Sequence, residues 1–118
     1  MDAFEWRRRL REEALAKARR IADRVEGTVF LIGSYARGDF SEDSDVDLLV
    51  VSRFSEPPHR RLLDVWEPGA EVVALTVEEA LRAVEKCYPL ARDVALGIVL
   101  RDDLKIAAEL VKKAKRCI

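Results

Sequence analysis

Apolar positions along the chain follow two periods, and the switches between them divide it into elements. Over residues 2–26, Leu10, Ala14, Ala18, Ile21, Ala22 and Val25 recur at three- and four-residue steps. That spacing predicts one amphipathic helix, with Gly27 placed where a C-terminal cap would fall. Residues 28–32 form a continuous apolar run, the pattern of a short strand buried on both faces, and it ends at Gly33-Ser34. Residues 35–44 carry Gly38, Asp39, Ser41, Asp43 and Ser44 and read as turn. A second strand follows over 45–51. Pro57-Pro58 interrupts the chain before a short helix expected over 60–66. Pro68-Gly69 turns into a third strand over 71–75. Thr76, with Glu79 three residues on, is a capping-box pattern that opens a helix through Ala80, Leu81, Val84 and Cys87. Further helices are expected over 89–96 and 103–115, on either side of the apolar piece 98–100. Strands alternating with helices in so short a chain predict an α/β (α+β) fold, a single small mixed sheet flanked by helices.

Composition adds limits rather than detail. With 118 residues, 49% hydrophobic and 36% charged, the chain reads as one globular domain over 1–118. Lys and Arg total 21 against 22 Asp and Glu, a formal net charge of -1, so the basic excess of a nucleic-acid binder is missing. The runs Arg7-Arg8-Arg9 and Lys112-Lys113 read as solvated helix faces or as docking sites for an acidic partner. Two cysteines form neither a disulfide framework nor a zinc-ligand spacing. Cys87 is expected as a buried free thiol on an apolar helix face, and Cys117 at a fraying end. His59, the single histidine, is expected at the surface, and Trp6 and Trp66 in packing roles. The first residues lack the apolar stretch of a secretory signal, and no run approaches the ~20 apolar residues of a membrane span. The expectation is a cytoplasmic protein.

The chemistry concentrates in one stretch. Gly33-Ser34 closes the first strand, and ten residues later Asp45-Val46-Asp47 opens the second. A Gly-Ser turn at a strand end presents backbone N–H groups and a hydroxyl, and a helix beginning there favours an anion such as phosphate. Asp45 and Asp47, two apart on a strand, point to one face, while Val46, Leu48 and Val50 point to the other. Side-by-side carboxylates repel, and a hard divalent cation with oxygen ligands is their natural counter-charge.

Gly33-Ser34-Tyr35-Ala36-Arg37-Gly38 followed by Ser44-Asp45-Val46-Asp47-Leu48-Leu49-Val50 closely resembles the signature of polymerase-beta-type nucleotidyltransferases. The short length and the segment from Tyr88-Pro89-Leu90 to Gly97-Ile98-Val99-Leu100 resemble the prokaryotic minimal members, and the likeness covers about residues 15–103. It implies the nucleotidyltransferase fold, ATP bound with Mg²⁺ (two ions), and transfer of a nucleoside monophosphate to a hydroxyl. By the same resemblance, Gly33 and Ser34 hold the β- and γ-phosphates, and Asp45 and Asp47 bridge the metal ions. Glu71 takes the place of the third carboxylate, more commonly Asp, as metal ligand or proton acceptor. Arg37 is placed on the phosphates through its forked guanidinium. Such minimal members are commonly antitoxins paired with a helical HEPN-type ribonuclease, which some inactivate by adenylylating a tyrosine. Two alternatives stand beside this: a non-catalytic module that neutralises a HEPN partner by binding, and a transferase for a small molecule whose pocket a homodimer would complete.

Overall fold

The computed structural model describes residues 1–62 and 64–118. Its elements are α1 (Ala3–Asp23), β1 (Thr28–Ile32), α2 (Ser34–Arg37), β2 (Val46–Val51), a 3-10 turn (Pro58–Arg60), β3 (Ala70–Leu75), α3 (Val77–Glu85), α4 (Pro89–Leu96), β4 (Ile98–Asp102) and α5 (Ala107–Lys115). The four strands form one mixed sheet in the order β3-β2-β1-β4. β1 runs antiparallel to both β2 and β4, and β2 runs parallel to β3. The single mixed sheet flanked by helices is the fold class expected from the sequence.

Helices cover both faces of the sheet, which is why its central strands are apolar apart from Thr28 and Asp47. Val29, Leu31, Val46, Leu48 and Val50 pack with Ala14, Ala18 and Ile21 of α1 and Tyr35 of α2. Phe30, Leu49 and Val51 pack on the opposite side with Val84 of α3, Val94 of α4 and Leu110 of α5. Each of these strands therefore sends alternate side chains into two separate apolar layers. Among the described residues, Thr28 is the one polar residue buried with them; its hydroxyl donates to Asp102 Oδ1 at 2.8 Å.

Local signals placed most boundaries. Asp2 caps α1 by accepting from the Glu5 N–H at 2.8 Å. Thr76 and Glu79 close the capping box reciprocally, at 3.2 and 2.8 Å. Pro89 opens α4 at a position where its missing N–H costs nothing.

Several expectations are corrected. α1 ends at Asp23 with Arg24 as its cap, so Gly27 lies beyond the helix, where its N–H donates to Asp103 Oδ2. The helix expected over 60–66 is replaced by the 3-10 turn Pro58–Arg60 followed by non-helical turns, with residue 63 outside the described residues. Arg61 there turns inward, its guanidinium bonded to Glu79 at 2.7 Å and to the Ala74 carbonyl at 3.0 Å. The last helix starts at Ala107 rather than Asp103, because Lys105 adopts a left-handed φ of 57°. Trp6 and Trp66 are 41% and 56% exposed rather than packed in the core. Trp66 is instead anchored by its indole N–H, which donates to the Ala70 carbonyl at 2.8 Å. Arg7 is not a free surface charge: it donates to the carbonyls of Phe40 and Gly38 and lies 4.2 Å over the Phe40 ring.

The cysteines differ most. Cys87 and Cys117 are joined in a disulfide across a separation of 30 residues, and Cys87 is exposed rather than buried. The bond ties the turn after α3 to the end of α5. Among the described residues, no helix is long and apolar enough to cross a membrane.

Candidate active site

Three segments converge at one end of the sheet. β1 ends at Ile32, β2 begins at Val46, and β3 begins at Ala70. The ladders place Ile32 opposite Asp47 and Asp47 opposite Glu71, so the three residues form one row across the sheet. Gly33-Ser34 continues directly from that row into α2.

Gly33 has φ 74° and ψ −155°, a region open almost only to glycine. A Cβ at this position would collide with the Asp47 carboxylate. The turn and the carboxylate are therefore packed against each other by the absence of a side chain. Gly33 then caps α2, its carbonyl accepting from the N–H groups of Ala36 and Arg37 at 3.1 and 3.0 Å. The N–H groups of Ser34 and Tyr35, in the first turn, have no earlier helical carbonyl to bond. Tyr35 anchors α2 in the core, where its ring stacks on Phe40 with centroids 4.6 Å apart.

Asp47 is the most perturbed carboxylate of the site. Burial first, then the charge and hydrogen bonding of Glu71, then the charges of Asp45 and Asp93, push it up to about 6. Its Oδ1 is buried and has no hydrogen-bond partner. A buried acceptor left unpaired is costly, and such atoms mark places where a further donor or cation belongs. Asp45 and Glu71 are exposed at either side of it. Asp45 also lines a groove of about 560 Å³ between α1 and the loop before β2, whose walls include Leu10, Lys17, Tyr35 and Gly69.

These observations test the expected divalent ion. Among the described residues, no three His, Cys, Asp or Glu side chains are gathered closely enough to form a closed metal cage. Mg²⁺ rarely needs one: it is usually held by one or two carboxylates and completed by substrate phosphates and water. An orphaned carboxylate oxygen on Asp47, with Asp45 and Glu71 beside it and a turn of free N–H groups alongside, fits that requirement.

Arg37 lies at the end of α2, three residues after Ser34 and so on the same side of the helix. Its Nε donates to Asp39 at 3.3 Å, and its Nη1 lies 3.9 Å from Asp93 Oδ1. Asp93, on α4, is the residue that sequence reasoning missed. Its only signal was an acid bordering the apolar positions Ala91 and Val94 of a short helix.

Comparison with known proteins bears on the same stretch. A family model for the nucleotidyltransferase domain matches residues 8–116. The chain is 27% identical over 93 residues to a bifunctional uridylyltransferase/uridylyl-removing enzyme of Phenylobacterium zucineum, 72% of this chain and 10% of that protein. It is 35% identical over 71 residues to the protein of the same description from Rhodospirillum rubrum, 55% of this chain and 7% of that protein. A Caulobacter vibrioides protein of that description is 27% identical over 90 residues, 70% of this chain and 10% of its own length. The chain thus spans about a tenth of the length of these relatives.

Proposed function

The chain belongs to the nucleotidyltransferase domain family, and on that premise we propose that it transfers a nucleoside monophosphate from ATP to a protein hydroxyl, releasing pyrophosphate. The acceptor we assign is a tyrosine of a HEPN-type toxin, so that the protein acts as an antitoxin. The observation that carries the catalytic reading is the orphaned Asp47 oxygen, in register with Glu71 and packed against the Gly33 turn.

On this reading each residue takes a task suited to its position. Gly33 lets the polyphosphate approach the backbone, and the Ser34 and Tyr35 N–H groups and the Ser34 hydroxyl bind its oxygens. Arg37 adds a forked, permanently charged donor on the same side of α2. Asp47, with Asp45 and Glu71 beside it, would hold the divalent ions once the nucleotide's phosphates supply the remaining ligands. Those ions, when bound, supply positive charge to the attacking and leaving oxygens. The acceptor hydroxyl's proton passes to the Glu71 carboxylate, exposed at the rim of the row, as its oxygen bonds to the α-phosphorus. Positioning and electrostatics do most of the work in such transfers.

The relatives are described as uridylyltransferases, which makes UTP the competing donor. The test incubates the protein with Mg²⁺, each labelled nucleoside triphosphate in turn, and the product of the neighbouring gene. Transfer is expected from ATP onto a tyrosine of that product, read by mass spectrometry, and lost when Asp45 and Asp47 are both changed to Asn. Label from UTP alone would reassign the donor. A double variant that neutralises the partner as well as the wild type does, with no modified residue found, would assign the protein to binding instead of catalysis.

A further inference from the structure

We propose that Asp93 is a positioning residue, holding the Arg37 guanidinium in place to receive the nucleotide's phosphates. This rests on the transferase reading above and assigns a role to a side chain outside its signature.

The placement of Asp93 is built into α4. Leu90, Ala91 and Val94 turn toward the core beside the sheet, which leaves Asp93 partly exposed at the edge of that apolar side. The end of α4 packs tightly on β1: a Cβ at Gly97 would come within 2.9 Å of the Asp93 carbonyl and 3.1 Å of the Leu31 carbonyl. Leu31 lies two residues before Gly33, so α4 is registered to the strand that delivers the phosphate turn. The charge of Asp93 also reaches Asp47. Asp93 therefore bears on both Arg37 of α2 and the acidic row, without belonging to either.

Arg37 meets two carboxylates. Asp39 takes Nε at 3.3 Å, and Asp93 lies 3.9 Å from Nη1. Nη2 has no partner among the described residues, and about a third of the side chain is exposed (33%). One nitrogen of the guanidinium is thus held by a hydrogen bond and a second is drawn to a more distant carboxylate, while Nη2 is left without a partner among the described residues. A surface pair at this distance contributes little to folding. Its effect is to restrict a flexible side chain before the ligand arrives, which lowers the ordering cost of binding.

Simple electrostatics predicts the opposite sign, and this makes the inference testable. Asp93 is an anion near the site of a polyanion, so its neutralisation should tighten nucleotide binding if repulsion is its whole effect. If it positions Arg37, neutralisation should weaken binding. The experiment is calorimetric titration of the full chain with ATP and Mg²⁺, for wild type, Asp93→Asn, Asp93→Glu, Arg37→Ala and Asp93→Asn with Arg37→Ala. Asp93→Asn is expected to weaken ATP about three- to tenfold by lost preorganisation, with Asp93→Glu recovering part of the loss. The double variant should bind no more weakly than Arg37→Ala alone. In transfer assays KM should rise while kcat stays near the wild-type value. Tighter or unchanged binding in Asp93→Asn, or the same penalty with Arg37 already removed, overturns the positioning role. Failure of the transferase reading looks different: the wild type itself would bind neither ATP nor, in a parallel titration, UTP, and the role of Asp93 would fall with it.

Discussion

Asp47 and Glu71 stand in register on parallel neighbouring strands, so two carboxylates of like charge share one row of the sheet, their backbones about 4.8 Å apart. Each strand end would be unremarkable alone. Their pairing concentrates negative charge where Asp47 is already partly desolvated.

Stability should record that burial and the repulsion added to it. The Asp47 carboxyl is raised from 3.8 to about 6, so its protonated form is favoured in the folded state. Raising the pH from 3.8 through about 6 therefore removes stability, on the order of 1–3 kcal/mol in the metal-free protein. Asp47→Asn should melt higher than the wild type at pH 7.5 without metal, and about equally at pH 4. Thermal melts across that range check it; a lower melting temperature at pH 7.5 would show that Asp47 is a structural cap.

Asp102 should behave in the reverse sense. Burial alone would raise its carboxyl, but the Thr28 hydroxyl and the N–H groups of Ile106 and Ala107 outweigh burial and hold it below its ordinary 3.8. Its stabilisation is present at neutral pH and disappears as pH falls through its lowered folded value. Asp102→Ala should cost about 1–3 kcal/mol at pH 7, by leaving the start of α5 and a buried hydroxyl unpaired. Denaturant titrations of the variant at pH 7 and pH 3 should show the difference shrinking in acid.

Gly33→Ala should fail in two ways at once. The backbone conformation costs about 1–3 kcal/mol for a residue with a Cβ, and that Cβ displaces the Asp47 carboxylate. The expected result is a lower melting temperature together with loss of the upward shift that ATP and Mg²⁺ give the wild type. A folded variant that keeps the shift would remove Gly33 from the nucleotide site.

The disulfide should contribute to stability without touching the site. Cys87 and Cys117 close a loop with a sequence separation of 30, for which chain entropy predicts up to about 4 kcal/mol. Melts with and without dithiothreitol should differ by several degrees. Cys87→Ser should match the reduced wild type, and ATP binding should be unchanged in both.

The fold was legible wherever a signal was local. The capping box at Thr76 and Glu79, the proline opening α4 and the apolar run of β1 each act within a few residues. The start of α5 was not legible. Asp103, where the helix was expected to open, instead accepts from the Gly27 N–H, 76 residues away in sequence, while Asp102 holds the later start of α5 and the Thr28 hydroxyl together. The outward Trp6 and the inward Arg61 escaped for the same reason, since hydropathy does not reveal which surfaces a neighbour covers.

What the sequence determined by itself is the order of elements, the glycine turn at the end of β1, and the acids at the start of β2. These follow from strand alternation, helical period and the conformational freedom of glycine, all properties of short segments. Only the tertiary structure decided that Glu71 lies level with Asp47, that Asp93 reaches Arg37, and that Cys87 meets Cys117. Such relations depend on strand register and helix packing between segments far apart in the chain. Register is set by the fit of two whole faces, and no residue of either face carries it alone.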